Sequence, residues 1–221
     1  MQCGRLDRTW AGLAATANKP FASVTRLFAL LFVLALWCTS LPAIADSEDG
    51  YDSNLARAVR AATERYRLAV WAQSDGYVQT TEYIASFGTM YTNHQRFNPT
   101  GLDAPTVLVY DMAGRLVACG YQFLDPAAIF SALKAPDVHG WYDIPKHVHY
   151  NIVLDGTTYY AQQPWDSDEQ PTAANLIQKK LMPADATLKF AFVHPAARAI
   201  IIWAWMPNAS GLFENDNPAM P

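Results

Sequence analysis

The stretch KHVHYNIVLDGTTYYAQ, residues 146–162, decides how the chain is read. At its centre stands Asp155-Gly156, a pair suited to the two positive-φ positions of a type I′ turn, which joins antiparallel strands with the correct twist. The flanks carry β-branched and aromatic residues, so residues 146–154 and 157–162 predict a hairpin. Side chains alternate along a strand. Val148, Tyr150, Ile152 and Leu154 therefore share one face and read as core, while His147, His149 and Asn151 project together from the other.

Working outward, the same period of two recurs. Residues 105–111 and 115–124 predict a second hairpin, turned at Met112, Ala113 and Gly114, and residues 187–194 and 199–206 predict a third pair joined through residues 195–198. Helical spacing appears before and between them. Ser53 or Asp52 can cap a first helix whose stripe is Leu55, Ala58, Val59, Ala62, Tyr66, Ala69 and Val70, with Gly76 marking its end. Residues 81–87 read as a short helix stopped by Gly88. Asp125 and Pro126 open another over residues 126–133, and residues 171–181 form one more. The expected fold is α+β: an antiparallel sheet of about six strands built from hairpins, with an N-terminal helix and one or two packed helices.

Residues 1–45 read as an export signal, and residues 46–221 as one α+β domain. Arg5, Arg8, Lys19 and Arg26 precede an uncharged stretch, residues 27–45, whose apolar centre ends at Cys38. That centre suits a signal peptide and falls short of the about 20 apolar residues of a membrane span. Ala43-Ile44-Ala45 is a small-x-small cleavage site, so the mature protein is expected to begin at Asp46 and to lie in the periplasm or be secreted. Trp37 is too large for a lipobox before Cys38. Cleavage leaves 12 of 16 basic and 19 of 20 acidic residues, a net charge of −7. Such a balance argues against nucleic acid, which demands a basic footprint, and against an anionic membrane surface. Cys119 alone survives of three cysteines, so no internal disulfide is expected.

The chemistry-bearing residues are mostly histidines: His94, His139, His147, His149 and His194. Two imidazoles on one strand face can converge on a copper, zinc or iron ion. His147, His149 and His194 form the candidate metal set, with His94 as the other possible third ligand. Asp143 and Glu169 are the candidate carboxylate partners. A His-x-His pair also occurs as the wet side of a sheet or the polar lid of a pocket, and there is neither HExxH nor CxxC to add to it. Cys119, inside an apolar strand, reads as an inert buried thiol, since a reactive one needs an exposed electropositive setting. GxSxG and the phosphate-binding glycine loops are absent from the sequence. Tyr159, Trp165 and Trp203 are candidate walls of a ligand cleft, because such rings combine an apolar body with a polar edge. The function expected is an exported protein that binds a small-molecule ligand or a transition metal. The alternative is a metal-dependent enzyme using the same histidines, which would need an open coordination position and a general base.

The segment WAWMPNASGLFENDNP, residues 203–218, resembles the end of a family of uncharacterised secreted bacterial proteins with a Trp-x-Trp strand followed by Asn-Pro, Gly-x-Phe and Asn-Pro. Trp203, Trp205, Asn208, Gly211, Phe213, Asn217 and Pro218 match, with Ala209 in place of the first proline. Gly88-Thr89-Met90 and Leu108-Val109-Tyr110 with Gly114-Arg115-Leu116-Val117 are similar too, and the likeness spans about two thirds of the mature chain. The family tends to place a histidine where this chain has Ile201 and a glutamate where it has Gly120. If those polar residues form a site in the family, the resemblance implies that this chain has lost it or rebuilt it around His147 and His149.

Overall fold

The computed structural model describes residues 50–221, all within one compact unit. The export signal and the cleavage site after Ala45 lie outside the described residues. Among these, no helix is long and apolar enough to cross a membrane.

Nine strands make two antiparallel sheets. Six belong to the larger: β1 (Val78–Gln79), β2 (Thr89–Thr92), β3 (Val107–Tyr110), β4 (Leu116–Phe123), β5 (Tyr142–Ile144) and β9 (Ala197–Ile202), in the spatial order β1-β2-β3-β4-β9-β5. The smaller sheet has β6 (His147–Leu154) at its centre, flanked by β7 (Thr157–Pro164) and β8 (Thr187–His194). The α+β fold, the antiparallel six-stranded sheet and the N-terminal helix agree with the reading of the sequence.

The hairpin of β6 and β7 closes as its turn residues dictate. Asp155 has φ 50° and Gly156 φ 77°, and Leu154 stands opposite Thr157. A Cβ at position 156 would touch nothing, so only backbone strain opposes one there. Gly156→Ala is therefore expected to cost about 1 kcal/mol in urea unfolding, from the left-handed backbone alone. Thr157→Ala on the exposed strand beside it should change little. In the second hairpin, β3 and β4 are joined where Asp111 Oδ1 accepts from the Ala113 and Arg115 amides, both at 2.9 Å.

Three local expectations gave way to long-range bonding. The first helix does not run to Gly76. It forms α1 (Asn54–Thr63), capped by Ser53 Oγ on the Ala56 amide, then breaks into a 3-10 turn and resumes as α2 (Ala69–Ser74). The break occurs because the backbone of residues 66–67 is recruited elsewhere. The Tyr66 carbonyl accepts from Tyr110 Oη at 2.8 Å, and the Arg67 carbonyl from the Leu116 amide at 3.0 Å. Residues 81–87 turn rather than coil, with Gly88 at φ 114°. A Cβ at Gly88 would lie 2.6 Å from the Tyr110 carbonyl, which is why a glycine lets β2 approach β3 here.

The third correction matters most for the site. Residues 187–194 and 197–202 do not pair with each other: β8 lies beside β6, whereas β9 lies between β4 and β5. Between β8 and β9 stand only Pro195 and Ala196, and instead of reversing there as a hairpin the strand passes from one sheet to the other. β5 and β6 do the same through Pro145 and Lys146. Strands that switch sheets at a bend make the corners of such packings. Two adjacent strands thus bend together, and each has a histidine just beyond or before its proline: His147 after Pro145, His194 before Pro195.

Cores form on both sides of the larger sheet. On one, Leu108, Tyr110, Cys119, Tyr121, Phe123, Ile200 and Ile202 pack under α1, α2 and the tail residues Leu212 and Phe213. On the other, Val107, Val109, Ile201 and Trp203 meet Phe87, Met90, Tyr142 and Met220. Val148, Tyr150 and Ile152 of β6 pack against Trp165, Met182 and Leu176 of α3 (Ala173–Gln178). The opposite face of β6, with His147, His149 and Asn151, is turned toward the larger sheet, where Asn151 Nδ2 donates to the Gln79 carbonyl at 2.8 Å.

Candidate functional site

A cleft of about 310 Å³ opens where the two sheets meet. Met90, Val107 and Ile201 wall it from the larger sheet, with Tyr142 and Ile144 from β5 and Ile84 and Phe87 from the turn before β2. Its polar end is built from His147, His149, His194, Gln122 and Gln162, and Asn215 and Asp216 of the tail stand at its edge. A larger groove of about 670 Å³ lies among Glu64, Arg67, Trp71, Arg115 and Trp205, but its charges answer one another: Arg67 meets Glu64 at 3.5 Å, and Arg115 meets Asp111 at 2.7 Å. The smaller cleft is the one in which polar groups converge on an apolar space, the usual composition of a ligand site.

Register brings the three histidines together. His147 and His194 are direct cross-strand partners, and His149 follows two residues along β6 on the same face. The rings of His147 and His194 stack with centroids 4.5 Å apart and planes 16° apart, and His149 lies 4.6 Å from His147 and 5.9 Å from His194. Phe192 stacks on His149 at 5.1 Å, and Phe97 meets His194 edge-on at 5.1 Å.

The proline bends fix the tautomers. His147 Nδ1–H donates to the Pro145 carbonyl at 2.8 Å, and His194 Nδ1–H to the Pro195 carbonyl at 2.7 Å. A neutral imidazole has one N–H, so both rings keep an Nε2 lone pair. His194 Nε2 lies 3.0 Å from Gln122 Oε1, and with its lone pair kept on Nε2 the Gln122 amide is assigned the flipped orientation that turns its NH₂ there. His147 Nε2 faces His149 Nε2 at 2.9 Å. His149 Nε2–H then donates to His147, which leaves His149 Nδ1 buried without a hydrogen-bonding partner. The Thr80 backbone is near enough only for a weak opposing effect on His149.

Burial keeps this cluster neutral. Desolvation, then the neighbouring His147 and His194, pushes His149 down to about 3. Burial and His147 push His194 down to about 4, against a rise from the Pro195 backbone. His147 is lowered as well, by desolvation. At neutral pH the pole presents unprotonated nitrogens and no positive charge.

Of the residues singled out in the sequence, His147, His149 and His194 are brought together. The stacked planes of His147 and His194, and the hold of Gln122 on His194, keep the three from aiming at one point. Among the described residues no group of three or more His, Cys, Asp or Glu side chains is placed to hold a metal ion. His94 lies outside the cleft, stacked on Phe192 at 5.3 Å, and His139 packs against Phe213. Asp143 is spent on Arg198 at 3.1 Å and Glu169 is on the surface, so neither carboxylate faces the histidines. Tyr159, Trp165 and Trp203 do not line the cleft. Tyr159 is exposed on the outer strand β7, Trp165 is buried behind the small sheet, and Trp203 is sealed in the wall with its Nε1–H on the Glu214 carbonyl at 2.7 Å. Cys119 is buried, and desolvation pushes its thiol up to about 12, the inert state expected of it.

No family model, curated protein or solved structure matches the chain.

Gln122, Asn215 and Asp216 were not singled out by sequence reasoning. Gln122 had a signal: it is a lone polar residue between Tyr121 and Phe123 in an otherwise apolar strand, and such a residue, when buried, needs a partner. Gly120, two residues earlier, is the register partner of Ile201, and a Cβ there would lie 2.9 Å from Ile201 Cδ1.

Proposed function

We propose that this chain is an exported, non-catalytic binding protein that takes a small organic ligand into the cleft between its two sheets. The observation that carries this reading is the division of the cleft: apolar walls on most sides and one pole of neutral imidazoles. The pole carries imidazole acceptors, and His147 Nε2, on a half-buried ring, is the one for which a ligand with an apolar body and a hydrogen-bond-donating head competes with His149 Nε2–H. An acceptor-only anion finds no matching charge. The export signal supports a location outside the cytoplasm. The likeness to secreted bacterial proteins fits as well, since its two departures, Gly120 and Ile201, sit opposite each other beside Gln122. A polar pair exchanged for a small and an apolar residue there would enlarge and dry the wall, moving the polar work to the histidines.

Indole and phenol serve as donor-headed probes, and benzoate as the acceptor-only comparison. With metal-free protein, indole and phenol are expected to shift the imidazole proton resonances of His147 and His149 and to raise the unfolding temperature, and benzoate to do neither. Ile144→Trp, which adds bulk to the half-buried cleft wall on β5, is expected to abolish the effect with the fold intact. Equal responses to all three probes, or a response unchanged by Ile144→Trp, would sink the reading.

A further inference from the structure

We infer that His147 and His149 form a two-imidazole site for a monovalent d¹⁰ metal ion, copper(I), at the polar end of the cleft. The inference rests on the cleft being a binding site and adds an inorganic occupant to it.

Two nitrogens that both lack a better partner face each other. His147 has committed its proton to the Pro145 carbonyl at 2.8 Å, so its Nε2 carries a lone pair, and that lone pair points at His149 Nε2 across 2.9 Å. The proton between them must come from His149. If His149 supplies it, His149 Nδ1 becomes a buried acceptor with nothing to accept. A buried polar atom of that kind destabilises the fold. If His149 keeps its proton on Nδ1 instead, two lone pairs collide. In either tautomer the pair is one cation short.

A metal ion between the Nε2 atoms occupies both lone pairs and removes their clash, with the His149 proton on Nδ1. No proton is released, no bond is broken and no electron is transferred. His147 then has the arrangement typical of ligating histidines, one nitrogen on the metal and the other donating to a backbone carbonyl. With metal–nitrogen bonds of about 2 Å, the two nitrogens must stand about 3.3 Å apart at a tetrahedral angle and about 4 Å apart in a linear site. The rings must therefore part by roughly 1 Å from 2.9 Å, and His147 is only half-buried, with room to move into the cleft.

The number of ligands selects the ion. Zinc is held by four protein ligands in structural sites, or three with water in catalytic ones. Here the third imidazole is stacked parallel to His147 and tied to Gln122, and among the described residues no third His, Cys, Asp or Glu side chain completes a metal-holding group with the pair. Calcium and magnesium need oxygen cages. Copper(I) has no ligand-field preference and is content with two nitrogen donors. Neutral, desolvated imidazoles supply no counter-charge, so a single charge is less costly to hold here than a double one. Met90 in the same wall keeps the surroundings soft and dry.

The test is anaerobic titration of the purified mature protein with copper(I) against a coloured copper(I) chelator, with zinc(II) run in parallel and native mass spectrometry reading the stoichiometry. One copper(I) per chain is expected. His147→Ala and His149→Ala are each expected to weaken it at least a hundredfold, and His139→Ala, remote and exposed, to leave it unchanged. Circular dichroism on each variant confirms that the fold is retained, and His149→Gln serves should His149→Ala unfold. Failure to compete for one equivalent of copper(I), displacement of it by equimolar zinc(II), or full binding in a folded His149 variant would each overturn the inference. The indole and phenol response is measured on metal-free protein, so it survives if copper(I) fails and the cleft is still a small-molecule site. If both fail, the cleft reading falls as well.

Discussion

Trp203→Ala is expected to remove about 3–5 kcal/mol from the stability of the folded chain, the usual range for truncating a buried tryptophan. Trp203 is fully buried, meets Phe87 edge-on at 6.1 Å and packs with Val107, Val109 and Ile201. It also ties the tail to the sheet: its Nε1–H holds the Glu214 carbonyl at 2.7 Å, and its backbone amide holds the Leu212 carbonyl at 3.0 Å. The alanine variant leaves a cavity behind Ile201 and Phe87, two walls of the cleft. Against a total of about 5–15 kcal/mol for a domain, this is a loss of about a fifth or more. At about 2–4 °C per kcal/mol for a chain of this size, the unfolding temperature should fall by roughly 6–20 °C. Trp203→Phe keeps most of the apolar volume and loses the hydrogen bond, so it should cost about 1–2 kcal/mol. A loss below 1 kcal/mol for the alanine variant in urea unfolding would mean that the tail, not the ring, holds this wall.

How far the sequence foretold this molecule depends on the range over which each signal acts. The Asp155-Gly156 turn is a local matter of two dihedral angles, and it appears as read. The alternation that separated Val148, Tyr150 and Ile152 from His147 and His149 is also local, and both faces are where period two puts them. The break in the first helix was not legible, because it depends on Tyr110 and Leu116 claiming the carbonyls of Tyr66 and Arg67 from far along the chain. The pairing of β8 with β6 was likewise invisible as an adjacent hairpin would not be. Residues 195–198 looked like a turn, and nothing in them says that the strand keeps straight and changes sheets. That crossing is what places His194 against His147. The histidines were therefore legible as candidates from parity and Gln162 comes with their hairpin, while Gln122 lies on a strand that only the fold brings near them. The aromatic residues failed as cleft markers for a similar reason: Trp165 and Trp203 have the parity of core residues, and core is what they form.

Acid is expected to unfold the metal-free protein well before its carboxylates alone would require it. Both His149 and His194 are neutral in the fold, with values near 3 and 4, and both titrate near 6.5 once unfolded. Below 6.5 the unfolded chain binds these protons and the folded chain does not. Stability therefore falls as pH falls, at up to about 1.4 kcal/mol per pH unit for each ring, until the folded values are passed. Between pH 7 and 4.5 this amounts to about 2–3 kcal/mol for each ring, a large share of a marginal total. His147, also lowered by burial, acts in the same direction, and Asp216 is the one carboxylate lining the cleft. His149→Phe isolates the effect. Its ring keeps the stack on Phe192, now 5.1 Å away with planes 14° apart, and carries no titrating nitrogen. The variant should be at least as stable as the parent at pH 7, having lost a buried atom without a partner, and its stability should fall about half as steeply between pH 6.5 and 4.5. Urea unfolding at four pH values in the presence of a chelator reads the two slopes directly. A flat profile for the parent over that interval, or equal slopes for parent and variant, would show that the rings are hydrated rather than buried, and the neutral pole on which ligand and copper(I) both depend would be lost with it.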